Sequence, residues 1–66
     1  MRYYYIFVDP ENIVRTGHIT TRNRGVKNVT GEIEKKIKLD GHTLLDLYEV
    51  CVSLKSKRLV NRYPWG

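Results

Sequence analysis

The sequence predicts a small α+β domain of order β-β-(β)-α: an antiparallel sheet, made of a β-hairpin plus a third strand, packed by one C-terminal helix. Three observations predict it. A tyrosine-rich, β-branched run opens the chain over residues 2–9. The turn-forming segment Asp9-Pro10-Glu11-Asn12 folds a second such run back on the first. Apolar residues at helical spacing follow Thr43.

The opening run, Arg2-Tyr-Tyr-Tyr-Ile-Phe-Val-Asp9, is rich in residue types that fit a pleated, packed surface. Alternation puts Tyr3, Tyr5 and Phe7 on one face and Tyr4, Ile6 and Val8 on the other. Both faces are apolar, which predicts a central strand covered on both sides. Pro10 presets φ for a turn, and Asn12 tolerates the left-handed conformation that closes a three-residue hairpin loop. The second strand spans Ile13 to Thr21, with Ile13, Arg15, Gly17 and Ile19 on one face and Val14, Thr16, His18 and Thr20 on the other. Gly17 is read as a bulge position.

A basic, glycine-containing loop, Arg22 to Asn28, comes next. Residues 29–39 fit two periods. Val29, Ile33 and Ile37 have helical i, i+4 spacing, whereas Ile33, Ile37 and Leu39 suit one face of a strand with Lys35 as the misfit. Gly31 weakens the helix, so a strand over Glu32–Leu39 is the preferred reading. Asp40-Gly41-His42 reads as a turn. Thr43 with Asp46 then makes a capping-box-like helix start. Leu44, Leu47, Tyr48, Cys51 and Leu54 form the apolar stripe, and Lys55, Lys57 and Arg58 crowd the end where a helix dipole favours cations. Pro64 ends regular structure, leaving residues 61–66 as a tail.

Sixty-six residues make one domain, spanning residues 1–66. A chain this short buries only about 60% of its unfolded surface, so a homodimer or docking on a partner is an expected supplement. The single cysteine, Cys51, rules out an intramolecular disulfide. Cys51, His18 and His42 show no metal-ligand spacing, and no cofactor is expected. The run Tyr3–Val8 is far short of the ~20 residues that span a bilayer, so no membrane role is expected. One cysteine and no secretory-type segment predict a cytoplasmic setting.

Catalysis requires a nucleophile, a base and an orienting group together. Cys51 on the helix stripe reads as a buried small hydrophobe. Neither histidine has a carboxylate nearby in sequence to orient it, and Glu32 with Glu34 reads as a solvated face. A non-enzymatic binding module is therefore expected. Twelve Lys and Arg against seven Asp and Glu give a net charge of +5, which favours a polyanionic partner. The candidate contacts are Arg15, Arg22, Arg24 and Lys27, with Lys36 and Lys38 beyond them. Such cations track phosphates, a two-stranded ribbon fits a major groove, and the tyrosine strand offers stacking surfaces to single-stranded bases. The expected partner is thus nucleic acid or a nucleoprotein complex. Arg62, Tyr63 and Trp65 form a second candidate surface, of the residue types enriched at protein interfaces.

Two resemblances bear on the partner. Tyr3 to Val8, Gly17-His-Ile-Thr20 and Ile33-Glu-Lys-Lys-Ile-Lys38 together look like short proteins of bacteriophages and prophages, over about half the chain. That resemblance implies a stoichiometric inhibitor or regulator that binds a host protein. Tyr4-Tyr5-Ile6-Phe7 and Gly41-His42-Thr43-Leu44 are similar to the opening strand and helix entry of antitoxins from HicAB-type pairs. The Pro-Asp-x-Pro-Gly segment of that family is absent, and no functional residue is carried across.

Overall fold

Strand β1 (Arg2–Val8) holds the centre of the computed structural model, which describes residues 1–37, 41–51, 53 and 55–64. It is followed by β2 (Val14–Thr20), α1 (Val26–Ile37), β3 (Thr43–Cys51) and β4 (Ser56–Arg62). The four strands form one antiparallel sheet in the order β2-β1-β3-β4. Since β2 and β3 both run antiparallel to β1, they are parallel to each other, and α1 makes the crossover between them.

The hairpin forms as its residues predict. The Asn12 N–H donates to the Asp9 carbonyl at 2.9 Å, the Asp9 N–H to the Ile13 carbonyl at 3.0 Å, and Asn12 has φ 66°. Gly17 makes no bulge, because the β1–β2 register is unbroken. It lies opposite Tyr5, and a Cβ there would sit 2.5 Å from the ring's Cζ. The glycine therefore admits the buried Tyr5 ring across the strand pair, and burial pushes the Tyr5 hydroxyl pKa upward. The register shifts fall elsewhere. One lies at Leu45 and lets Leu44 as well as Leu47 face the core; the other lies at Val60.

Two expected elements exchange identity. Residues 26–37 are helix, not a third strand: the i, i+4 pair Val29 and Ile33 is fully buried, and helical winding turns Lys35 outward. Gly31 sits on the exposed side, where its cost is only local. Leu39, the end of the expected strand, lies outside the described residues. Residues 43–51 and 56–62 are strands, not a C-terminal helix. Flanked by β1 and β4, β3 is apolar at six of its nine positions and on both faces, so a helical stripe can be picked out of it by letters alone. Asp46 does not cap a helix; it accepts a hydrogen bond from Arg62 on β4 at 3.1 Å. Cys51 is half-buried at the end of β3, with Sγ 3.5 Å from Ser53 Oγ, and is not a core residue of a helix. Lys55, with φ 51°, belongs to the β3–β4 connection, and Lys57 and Arg58 to β4.

The supposed tail is also structured. Asn61 and Arg62 complete β4, the Tyr63 N–H donates to the Leu45 carbonyl at 2.9 Å, and the Tyr63 hydroxyl bonds Thr30 Oγ1 at 2.6 Å. Trp65 and Gly66 lie outside the described residues.

The core lies between α1 and one sheet face: Tyr3, Tyr5 and Phe7 from β1, Leu44 and Leu47 from β3, Val29 and Ile33 from α1. Ile19, Ile37, Val60 and Tyr63 close its margins. The second apolar face of β1 is half-exposed, where covering was expected. Among the described residues, no helix is long and apolar enough to cross a membrane.

Opposite signs are expected from two glycine substitutions. Gly17→Ala should cost about 1–3 kcal/mol through overpacking against Tyr5. Gly31→Ala should stabilise by up to about 1 kcal/mol, because its helical site is open. Urea unfolding of the two variants measures both, and shifts of the same sign would contradict the packing described.

Candidate functional site

The register of the sheet assigns side chains to the face opposite α1, since directly paired residues share a face. At one end, Thr20, Arg2, Val50 and Lys57 form a row across β2, β1, β3 and β4. The next row is His18, Tyr4, Tyr48 and Leu59. Thr16, Ile6, Asp46 and Arg62 make the third.

The second row is aromatic across three strands. The Tyr4 ring lies 5.0 Å from the His18 ring and 5.9 Å from the Tyr48 ring, tilted by 53° and 50°. Such cross-strand ring pairs stabilise a sheet while leaving part of each ring in solvent. Lys57 Nζ stands 4.0 Å from the Tyr4 ring centroid, a cation–π contact. Tyr4 and Tyr48 are half-buried, His18 and Lys57 are exposed, and Leu59 keeps 42% of its surface exposed.

These two rows contain no carboxylate. Asp46, in the third, pairs with Arg62. Glu49 lies on the helix side and pairs with Arg58 at 3.0 Å. The basic loop adjoins the cationic row: Thr21, just past Thr20, donates its N–H to the Met1 carbonyl at 2.9 Å, and Arg22 follows directly.

The sequence-predicted cations are divided by this geometry. Arg22 and Arg24 are exposed in the β2–α1 loop, and Lys27 is exposed on the first turn of α1, so these three share one end of the molecule with Arg2 and Lys57. Arg15 is at the hairpin end of β2, about 17 Å away along the strand, and its Nε donates to the buried Asp9 at 2.5 Å. Lys36 is near the C-terminal end of α1 and donates to the His18 carbonyl. Lys38 lies outside the described residues. Of the second candidate surface, Arg62 is held by Asp46 and Tyr63 by Thr30.

Reading from sequence missed Arg2, His18, Tyr48, Lys57 and Leu59. Tyr4 is legible from alternation along β1, but its neighbours on β3 and β4 are hidden while those segments read as helix. The β-branched and aromatic residues Thr43, Tyr48, Val50 and Val52 are the signal that would have marked β3, and with it Tyr48, as strand; β4 carries no comparable signal.

The catalytic residue types are dispersed. His18 is on the open face, whereas His42, just before β3, contacts Glu34 of α1 and the edge of the Phe7 ring. Cys51 is at the opposite end of β3 from His42. Among the described residues, no group of three His, Cys, Asp or Glu is placed to hold a metal ion. On the helix side, a groove of about 360 Å³ runs between the start of α1 and β3–β4, lined by Tyr3, Val26, Val29, Leu47 and Val60 with Arg24 and Glu49.

Comparison with protein families, curated proteins and solved structures finds no match for this chain.

The Asp9 site has a defined acid response. Arg15 first, then the Ile13 N–H, and also the Glu11 N–H, hold the Asp9 carboxyl below its ordinary pKa of 3.8, against the opposing effect of burial. A depressed folded-state pKa stabilises fully above the unfolded value and is lost as pH falls through the folded one. Asp9→Asn should therefore lower the urea midpoint at neutral pH and flatten its decline below about pH 4. An unchanged acid slope in the variant would remove Asp9 as its source.

Proposed function

We propose that this chain is a small, basic, non-enzymatic binding module whose partner is nucleic acid or a nucleoprotein complex. The observation that carries this reading is the convergence of Arg2, Arg22, Arg24, Lys27 and Lys57 at one end of the sheet, beside rows that hold no carboxylate. Strand pairing brings Arg2 and Lys57, on the open face, to the same end as the run Arg22–Lys27, of which Arg24 borders the helix-side groove with Glu49. A rim of exposed cations engages phosphates in the absence of base-specific contacts, and each phosphate engaged releases counterions. The net charge of +5 adds a field that draws the chain towards a polyanion. Arg15, neutralised by Asp9, and Lys36, on the His18 carbonyl, add to that field and not to the rim.

Binding to a host protein is the rival. It would use the outer sheet face or the Tyr63–Trp65 tail; the Tyr63 hydroxyl is engaged by Thr30 within the fold, which counts against the tail and leaves the outer sheet face as the surface on which the two readings compete.

Fluorescence anisotropy against labelled DNA and RNA tests the proposal. If about four phosphates are engaged, affinity should fall about 50- to 150-fold between about 50 and 200 mM salt. The double charge reversal Arg22→Glu and Arg24→Glu should flatten the log–log salt slope by about 1.5 and weaken binding at least tenfold. Binding that ignores both salt and the double variant would overturn it.

A further inference from the structure

Resting on the proposal of nucleic-acid binding, we infer that the ligand is single-stranded and runs across the strands, its phosphates on the Arg2–Lys57 row and its bases on the row of Tyr4, Tyr48 and His18. The two rows are two residues apart along every strand, about 6.7 Å, which is within the reach of one nucleotide from phosphate to base. Cations and rings therefore alternate in the order that a nucleotide presents charge and π-face. The Tyr4, Tyr48 and His18 rings, with centroids 5.0 and 5.9 Å apart, extend that platform along the direction a strand would follow.

Duplex fits this surface poorly. Base faces in a duplex are already covered by their stacked neighbours, so rings on a sheet face cannot reach them. The outer strand axes are also about 14 Å apart, wider than a major groove of about 12 Å, which admits a two-stranded ribbon. Ile6, Val8 and Val14 extend the face beyond the rings as apolar surface.

Lys57 gives the site a moving part. In the free chain its ammonium covers the Tyr4 ring, on a flexible four-carbon stem. An exposed cation–π contact is weaker than base–aromatic stacking, so an arriving base displaces the ammonium, which turns to the adjoining phosphate.

The test is anisotropy titration of the full chain with labelled oligothymidine and with a blunt duplex of equal length, at low salt. The expected result is tighter binding of the single strand, and a loss of about 5- to 150-fold for that probe alone in Tyr48→Leu. Tyr48→Phe should retain binding and His18→Ala should weaken it, with the thermal unfolding midpoint checking that each variant is folded. Equal binding of both probes with no effect of Tyr48→Leu, while reversal of Arg22 and Arg24 weakens both, overturns this inference and leaves the proposed function standing. Binding of neither probe overturns both. A dimer in sedimentation that Tyr48→Leu dissociates assigns the face to a second copy and likewise overturns the inference.

Discussion

A strand satisfies the hydrogen bonds of both its edges only when two other strands reach it, and β1 is the first of the two inner strands in this protein. Its first neighbour, β2, is supplied locally by the hairpin at Asp9–Ile13. Its second, β3, comes from the far half of the chain, with Val8 opposite Thr43 and Arg2 opposite Val50. The connection between those neighbours has to cross β1, and a helix of 12 residues makes the crossing over one face only. That face becomes the core, built on Tyr3, Tyr5 and Phe7. The opposite face, with Tyr4, Ile6 and Val8, is left half-exposed by the same connectivity. The aromatic surface is thus a consequence of how the chain reaches its central strand.

The peripheral elements depend on this centre. Helix α1 carries Val26, Asn28, Thr30 and Gly31, none of them strong helix formers. Its stability comes from seating Val29 and Ile33 on the sheet, where both are fully buried. Strand β4 is exposed along most of its length and is tied to β3 by its ladder and by the pairs Arg58–Glu49 and Arg62–Asp46. Exposed pairs of this kind contribute about 0–1 kcal/mol each, so they fix register more than they stabilise. Pairing also consumes two of the three β4 cations and leaves Lys57 to the ring of Tyr4.

What could be read in the sequence was what local chemistry decides. The dense β-branched and aromatic residues of β1, and the Pro10–Asn12 turn with its left-handed Asn12, mark a hairpin without reference to anything distant. The rest was settled by tertiary context. Val29, Ile33 and Ile37 satisfy a helical and an extended period alike, and only a sheet waiting to be covered decides between them. β3 is apolar on both faces because it is central, and the extra residue at Leu45 breaks the alternation that would identify it. The rim was only partly legible for the same reason: Arg22, Arg24 and Lys27 announce themselves as a run, whereas Arg2 and Lys57 join them only through strand register.

The distance in sequence between the two neighbours of β1 sets the order in which the protein can assemble. The hairpin closes a three-residue loop and forms early, on the microsecond scale typical of hairpins. β1 then keeps one edge unpaired, beside the apolar side chains of Tyr3, Tyr5 and Phe7, until residues 43–51 arrive. Such long-range pairing bears its loop-closure entropy before any contact rewards it, which slows folding. During synthesis the interval is longer still, because at about 5–20 residues per second the closing strand emerges seconds after the hairpin. The central strand is therefore also the segment through which a nascent chain is most exposed to mispairing with its neighbours.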